Sequence, residues 1–113
     1  MNIRLSKGSV RIRVTKAECV SLIEGGINGR NLEEQVLFPG GGFFCFAAEC
    51  VSVAESSGPA LFFDTGCVKM RLPEDSLRSV INKPLSKKSG IYWEAEVSEK
   101  EKISAAFEID MAK

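Results

Sequence analysis

The chain has 113 residues, with fifteen basic against fifteen acidic side chains and no histidine. That length supports one hydrophobic core without staples. Zero formal charge argues against a general electrostatic affinity for nucleic acid or anionic membrane. No apolar run approaches the roughly 20 residues that span a bilayer. Lack of histidine removes the usual general base, the commonest metal ligand and the Ser/His and Cys/His nucleophile pairs.

No charged-then-apolar leader opens the sequence, so the expected compartment is the cytoplasm. Charge is unevenly placed all the same. Arg4, Lys7, Arg11, Arg13 and Lys16 fall at the start of the chain with no acid among them.

Ile3-Arg4-Leu5-Ser6 alternates apolar and polar, Lys7-Gly8 suits a tight turn, and Ser9 to Val14 alternates again. The pattern predicts an antiparallel hairpin with Val10, Ile12 and Val14 on one face and Arg11 and Arg13 on the other. Thr15-Lys16-Ala17-Glu18 has the spacing of a capping box. A helix follows, with Ala17, Val20 and Ile23 at helical spacing, flanked by Cys19 and Leu22. Gly25-Gly26 ends it by permitting a left-handed residue.

Asn28-Gly29 signals a turn. Leu32 to Phe38 reads as a strand, Pro39 to Gly42 as a turn, and Phe43 to Val53 as a central strand. Ala60 to Phe63 and Cys67 to Leu72 form a second hairpin about Asp64-Thr65-Gly66.

Pro73-Glu74-Asp75 starts a second helix, since proline fits a first turn and acids favour the positive dipole end. Leu77, Val80 and Ile81 are its apolar stripe, and Asn82, Lys83 and Pro84 stop it. Ile91 to Val97 alternates, with Tyr92, Glu94 and Glu96 facing away from Ile91, Trp93, Ala95 and Val97. The tail fits two periods. Ser98 to Glu101 mimics another capping box, yet Ile103, Ala105, Phe107, Ile109 and Met111 alternate without a break.

Ile3-Arg4 followed by Ser9-Val10-Arg11-Ile12-Arg13-Val14-Thr15-Lys16-Ala17-Glu18 resembles the opening of a family of small bacterial proteins of unknown function. Glu108-Ile109-Asp110-Met111 resembles that family's closing strand, with other residues where the family carries Lys and Phe. The resemblance implies a strand for the tail and adds no chemistry.

Few residues offer chemistry. Cys19, Cys45, Cys50 and Cys67 are irregularly spaced, with no CxxC. They read as free, mostly buried thiols rather than as disulfides or a zinc site. Cys45 and Cys50, five apart on one strand, face opposite ways. Pro39-Gly40-Gly41-Gly42 lacks the following helix that a phosphate loop needs. Glu33-Glu34 reads as a solvated strand end.

What remains is the predicted sharing of one face by Arg4, Arg11 and Arg13. Guanidinium forks suit carboxylate or phosphate. Glu94 and Glu96, or Glu108 and Asp110, could instead neutralise them across strands.

The expected fold is a single α+β domain, residues 1–113. It has a mainly antiparallel sheet of about eight strands, in the order β-β-α-β-β-β-β-α-β-β, with the two short helices covering its apolar face. Two function classes follow. One is a non-catalytic binding or interaction module that recognises a protein partner or pairs with itself as a homodimer. The other is a small enzyme, or a binder of an anionic metabolite, using Arg4, Arg11 and Arg13 with Glu94 or Asp110. Neither calls for a cofactor or a metal.

Overall fold

The structure, a computed structural model, describes residues 1–25, 30–52, 58–64, 66–82, 89–96 and 98–110. The elements are β1 (Asn2–Ser6), β2 (Ser9–Thr15), α1 (Lys16–Glu24), β3 (Asn31–Leu37), β4 (Phe43–Val51), β5 (Ala60–Asp64), β6 (Cys67–Pro73), α2 (Glu74–Asn82), β7 (Ser89–Glu96) and β8 (Lys102–Asp110). Their order matches the α+β expectation, and the ambiguous tail is the strand β8. Gly26, the Asn28-Gly29 turn, Lys83, Pro84, Val97 and Met111 lie outside the described residues.

The sheet differs from expectation. There are two four-stranded sheets, ordered β1-β2-β8-β7 and β3-β4-β6-β5. Each is mixed: its outer pairs are antiparallel, while its centre is parallel, β2 against β8 in one and β4 against β6 in the other. The physical reason is that turn chemistry specifies only pairings between consecutive strands. The parallel contacts join hairpins made by distant parts of the chain, for which no local signal exists.

Both sheets pack their inner faces and both helices into one core. Val10, Ile12, Val14, Ala105, Phe107 and Ile109 come from the first sheet. Phe46, Ala48, Cys50, Val68, Met70 and Leu72 come from the second. The helices thus close a core shared by two sheets rather than cover one.

The Thr15–Glu18 capping box is present: the Glu18 N–H donates to Thr15 Oγ1 at 3.1 Å and the Thr15 N–H to Glu18 Oε1 at 2.9 Å. Gly25 ends α1 at φ 74°, a left-handed conformation that glycine adopts without Cβ strain. The buried stripe of α1 is Cys19, Leu22 and Ile23, whereas Ala17 is exposed. The expected face is thus rotated, because the helix must meet α2 as well as the sheets. In α2, Leu77 and Val80 are buried as expected. The Glu74 carboxylate at its start is paired with Arg30 and accepts from Arg78 Nε at 2.9 Å.

An internal duplication underlies this plan. Residues 2–24 match residues 60–82 element for element, so β1, β2 and α1 correspond to β5, β6 and α2. Val10 pairs with Val68, Arg13 with Arg71, Val14 with Leu72, and Ile23 with Ile81. Gly8 and Gly66, at φ 82° and 71°, make equivalent turns. One residue further out of step, β3 corresponds to residues 90–96 of β7, and β4 to β8. Each half is a hairpin, a helix and a hairpin, and each sheet takes one hairpin from either half.

Candidate functional site

Strand alternation gives each sheet an outer face, and the register fixes what stands there. On the first sheet Arg4 faces Arg11, Asn2 faces Arg13, and Ser6 faces Ser9 across β1 and β2. Across β2 and β8, Ser9 faces Ser104, Arg11 faces Ala106, Arg13 faces Glu108, and Thr15 faces Asp110. Strand β7 adds Tyr92 beside Ala106 and Glu94 beside Ser104. Arg4, Arg11 and Arg13 therefore share one face, as the alternation predicted.

Glu108 sits among these cations. Its Oε1 lies 3.2 Å from Arg11 Nε and 3.7 Å from an Arg13 terminal nitrogen, and its Oε2 accepts from the Tyr92 hydroxyl at 2.9 Å. Burial and that hydrogen bond hold the Tyr92 hydroxyl above its ordinary pKa, because both oppose its ionisation. Oε1 itself is buried with no hydrogen bond. The arginines therefore meet it by charge rather than by aimed N–H groups.

Two hollows open on this face. One, of about 390 Å³, is lined by Asn2, Ile3, Arg4, Arg11 and Arg13. The other, of about 370 Å³, has Ser9, Arg11, Tyr92, Glu94, Ser104 and Ala106 among its walls.

The outer face of the second sheet is the duplicate of the first, and the correspondence is close. Glu49 lies near both Lys69 and Arg71, at 2.5 Å and 4.0 Å, as Glu108 lies near Arg11 and Arg13. Ala47 stands for Ala106. Three differences matter. Phe62 occupies the position of Arg4, and its ring packs under the Arg71 guanidinium at 4.8 Å. Cys45 and Cys67, directly opposite each other across β4 and β6, replace Ser104 and Ser9. Glu33 replaces Tyr92.

At this second position the Cys45 thiol donates to Glu33 Oε1 at 3.1 Å. The sulfurs of Cys45 and Cys67 and the Glu33 carboxylate all lie within 4.8 Å of one another. Burial first, then the bonds with Cys67 and Glu33, pushes the Cys45 thiol up to about 12. Cys19 is likewise pushed up to about 12, mainly by burial. All four cysteines are free. Cys45 and Cys50 do face opposite ways, and Cys50 belongs to the core.

Of the residues expected to form a site, the structure brings Arg4, Arg11 and Arg13 together. Glu94 is on the same face beyond Arg11, and Asp110 is at its other end beyond Arg13. They flank the cluster rather than complete it. The acid at its centre is Glu108. Tyr92, Ser9 and Ser104 also line the face. The alternation that set Tyr92 beside Glu94 was a usable signal for the first of these, but only the parallel β2–β8 register reveals the rest.

No family model, curated protein or solved structure matches this chain. Among the described residues, no helix is long and apolar enough to cross a membrane.

Proposed function

We propose that this chain is a non-catalytic binding module that captures an acidic protein segment on the arginine face of the first sheet. One observation carries the reading. Arg4, Arg11 and Arg13 share that face with Glu108 at its centre, and that one carboxylate meets Arg11 and Arg13 as ion pairs at 3.2 Å and 3.7 Å. A carboxylate-rich segment supplies further acceptors of the kind that guanidinium forks suit.

Arg4 is the cation that distinguishes this face from its duplicate. In the second sheet Phe62 stands in its place, and Glu49 lies near Lys69 and Arg71 as Glu108 lies near Arg11 and Arg13. The reading keeps the chain within the cytoplasm and within the small bacterial family that its opening resembles.

The test is a binding titration of a labelled polyglutamate peptide. Arg11→Ala/Arg13→Ala leaves the melting temperature within a few degrees and weakens capture about tenfold or more, in keeping with the loss of two charge pairs. Unchanged capture by a folded double variant contradicts the proposal.

A second reading, a small enzyme or a binder of an anionic metabolite, is favoured by the 370 Å³ hollow beside Arg11, Tyr92 and Glu94, which is within the size range of small-ligand pockets. A thermal-shift panel of phosphates, nucleotides and carboxylates separates the two. A melting-temperature rise with one small ligand, lost in Arg11→Ala, supports this reading, and a flat panel opposes it.

A further inference from the structure

We propose that Cys45, Cys67 and Glu33 form a binding site for a thiolate-preferring divalent cation, zinc above all, on the outer face of the second sheet. The site is independent of the arginine face. It rests on convergence: two sulfurs and a carboxylate from three adjacent strands fall within 4.8 Å of one another.

That spacing is close to what a single ion needs. Zinc–sulfur bonds of about 2.3 Å and zinc–oxygen bonds of about 2.0–2.2 Å place tetrahedral ligands a little under 4 Å apart. Small side-chain rotations close the difference.

The local sequence explains how the ligands meet. Cys45 and Cys67 are register partners across the parallel centre of the sheet. Glu33 faces Ala47, one row away, and the alanine methyl leaves room for its carboxylate to cross to Cys45. Gln35 and Asp64 complete the row of Cys45 and Cys67 on the edge strands.

The donor set selects the metal class. Calcium and magnesium take oxygen ligands, whereas two thiolates and one carboxylate suit zinc and its softer neighbours. On binding, both thiols release their protons to solvent and the cation gains two sulfur bonds and one oxygen bond, with no change of oxidation state. Cys45 is buried, Cys67 is half-buried and Glu33 is exposed, so a fourth position opens to water on the sheet surface.

The duplicate position in the other sheet provides an internal control. Ser104, Ser9 and Tyr92 stand there, and that set has no thiolate to offer.

The experiment is a cobalt(II) titration of the reduced, metal-free full chain, followed by displacement with zinc. The expected result is one equivalent bound, with thiolate-to-cobalt charge-transfer absorption and intense tetrahedral visible bands, both erased by zinc. Cys67→Ser abolishes the thiolate absorption, Glu33→Gln weakens binding at least about tenfold, and Cys50→Ser, in the core on the opposite face, leaves the cobalt spectrum unchanged. Both Cys67 and Glu33 reach solvent, so these variants keep the test readable if Cys45→Ser does not fold. Absence of the charge-transfer band at one equivalent overturns the proposal. So does its survival in Cys67→Ser.

Discussion

The two outer sheet faces begin from one plan and end with different chemistry. Each has an acid placed between two cations, Glu108 near Arg11 and Arg13 in the first sheet and Glu49 near Lys69 and Arg71 in the second. Around that shared unit the substitutions are few. Arg4 against Phe62 adds a third arginine to one face and puts a ring under the Arg71 guanidinium on the other. Ser9 and Ser104 against Cys67 and Cys45 make one face a hydroxyl-lined hollow and the other a pair of thiols. A duplicated scaffold can thus carry two different outer faces when the residues that set its core are kept and those on the outer rows are free to differ.

The cores also differ in a complementary way. Phe46 of β4 corresponds to Ala105 of β8, and Ala48 to Phe107. In these two rows each half places one phenylalanine and one alanine on the inner face, in opposite order, so that large faces small; Phe44 packs against the core beside Phe46. The largest expected effect tests this. Phe107→Ala costs about 3–5 kcal/mol and Phe46→Ala a similar amount, while Ala48→Phe overpacks by about 1–3 kcal/mol. In denaturant, all three variants unfold in one transition, because each sheet needs a hairpin from both halves. Two separate transitions, one per half, would break the comparison.

A smaller effect distinguishes the helix starts. Thr15 caps α1 through its hydroxyl, whereas its counterpart before α2 is Pro73, which has no side-chain acceptor. Thr15→Ala lowers stability by about 1 kcal/mol in urea unfolding. Pro73→Ala removes no cap bond and costs less. An equal loss at both positions would show that the box contributes nothing special to α1.

The smallest effect is one of pH. Hydrogen bonds from Arg78 and then Arg30 hold the Glu74 carboxylate below the ordinary value of 4.5. A carboxylate depressed in the folded state adds stability that is complete above 4.5 and is lost as pH falls through its lowered value. Glu74→Gln therefore flattens the acid limb of a melting-temperature profile, and the change is modest because the half-buried group still reaches solvent and is screened. The corresponding residue in α1 is Lys16, and Lys16→Gln leaves that limb unchanged. A steeper acid limb in Glu74→Gln would contradict the assignment.

Much of this was legible in the sequence where the signal was local. The Lys7-Gly8 turn, the alternation of Val10, Ile12 and Val14, the Thr15–Glu18 box and the Gly25 stop each lie within a few residues and were read correctly. So was the common face of Arg4, Arg11 and Arg13, since a two-residue turn fixes a hairpin's register. The parallel contacts of β2 with β8 and β4 with β6 were not legible, because nothing near Ser9 announces Ser104 and nothing near Cys45 announces Cys67. The same blindness hid Glu108 as the centre of the arginine face and left Cys45 as one more buried thiol. The duplication is faint in the sequence because its halves keep the apolar pattern more than the residues, and β3 and β4 are one position out of step with β1, β2 and α1.

The central claim is that Arg4, which Phe62 replaces in the second sheet, helps the first face hold an acidic segment, and Arg4→Phe tests it most directly by giving the first face the residue of the second. Titrated with a labelled polyglutamate peptide at low salt, the variant should bind about fivefold more weakly than the original chain, roughly 1 kcal/mol, at an unchanged melting temperature. Binding that is equally tight in the two proteins would contradict the account.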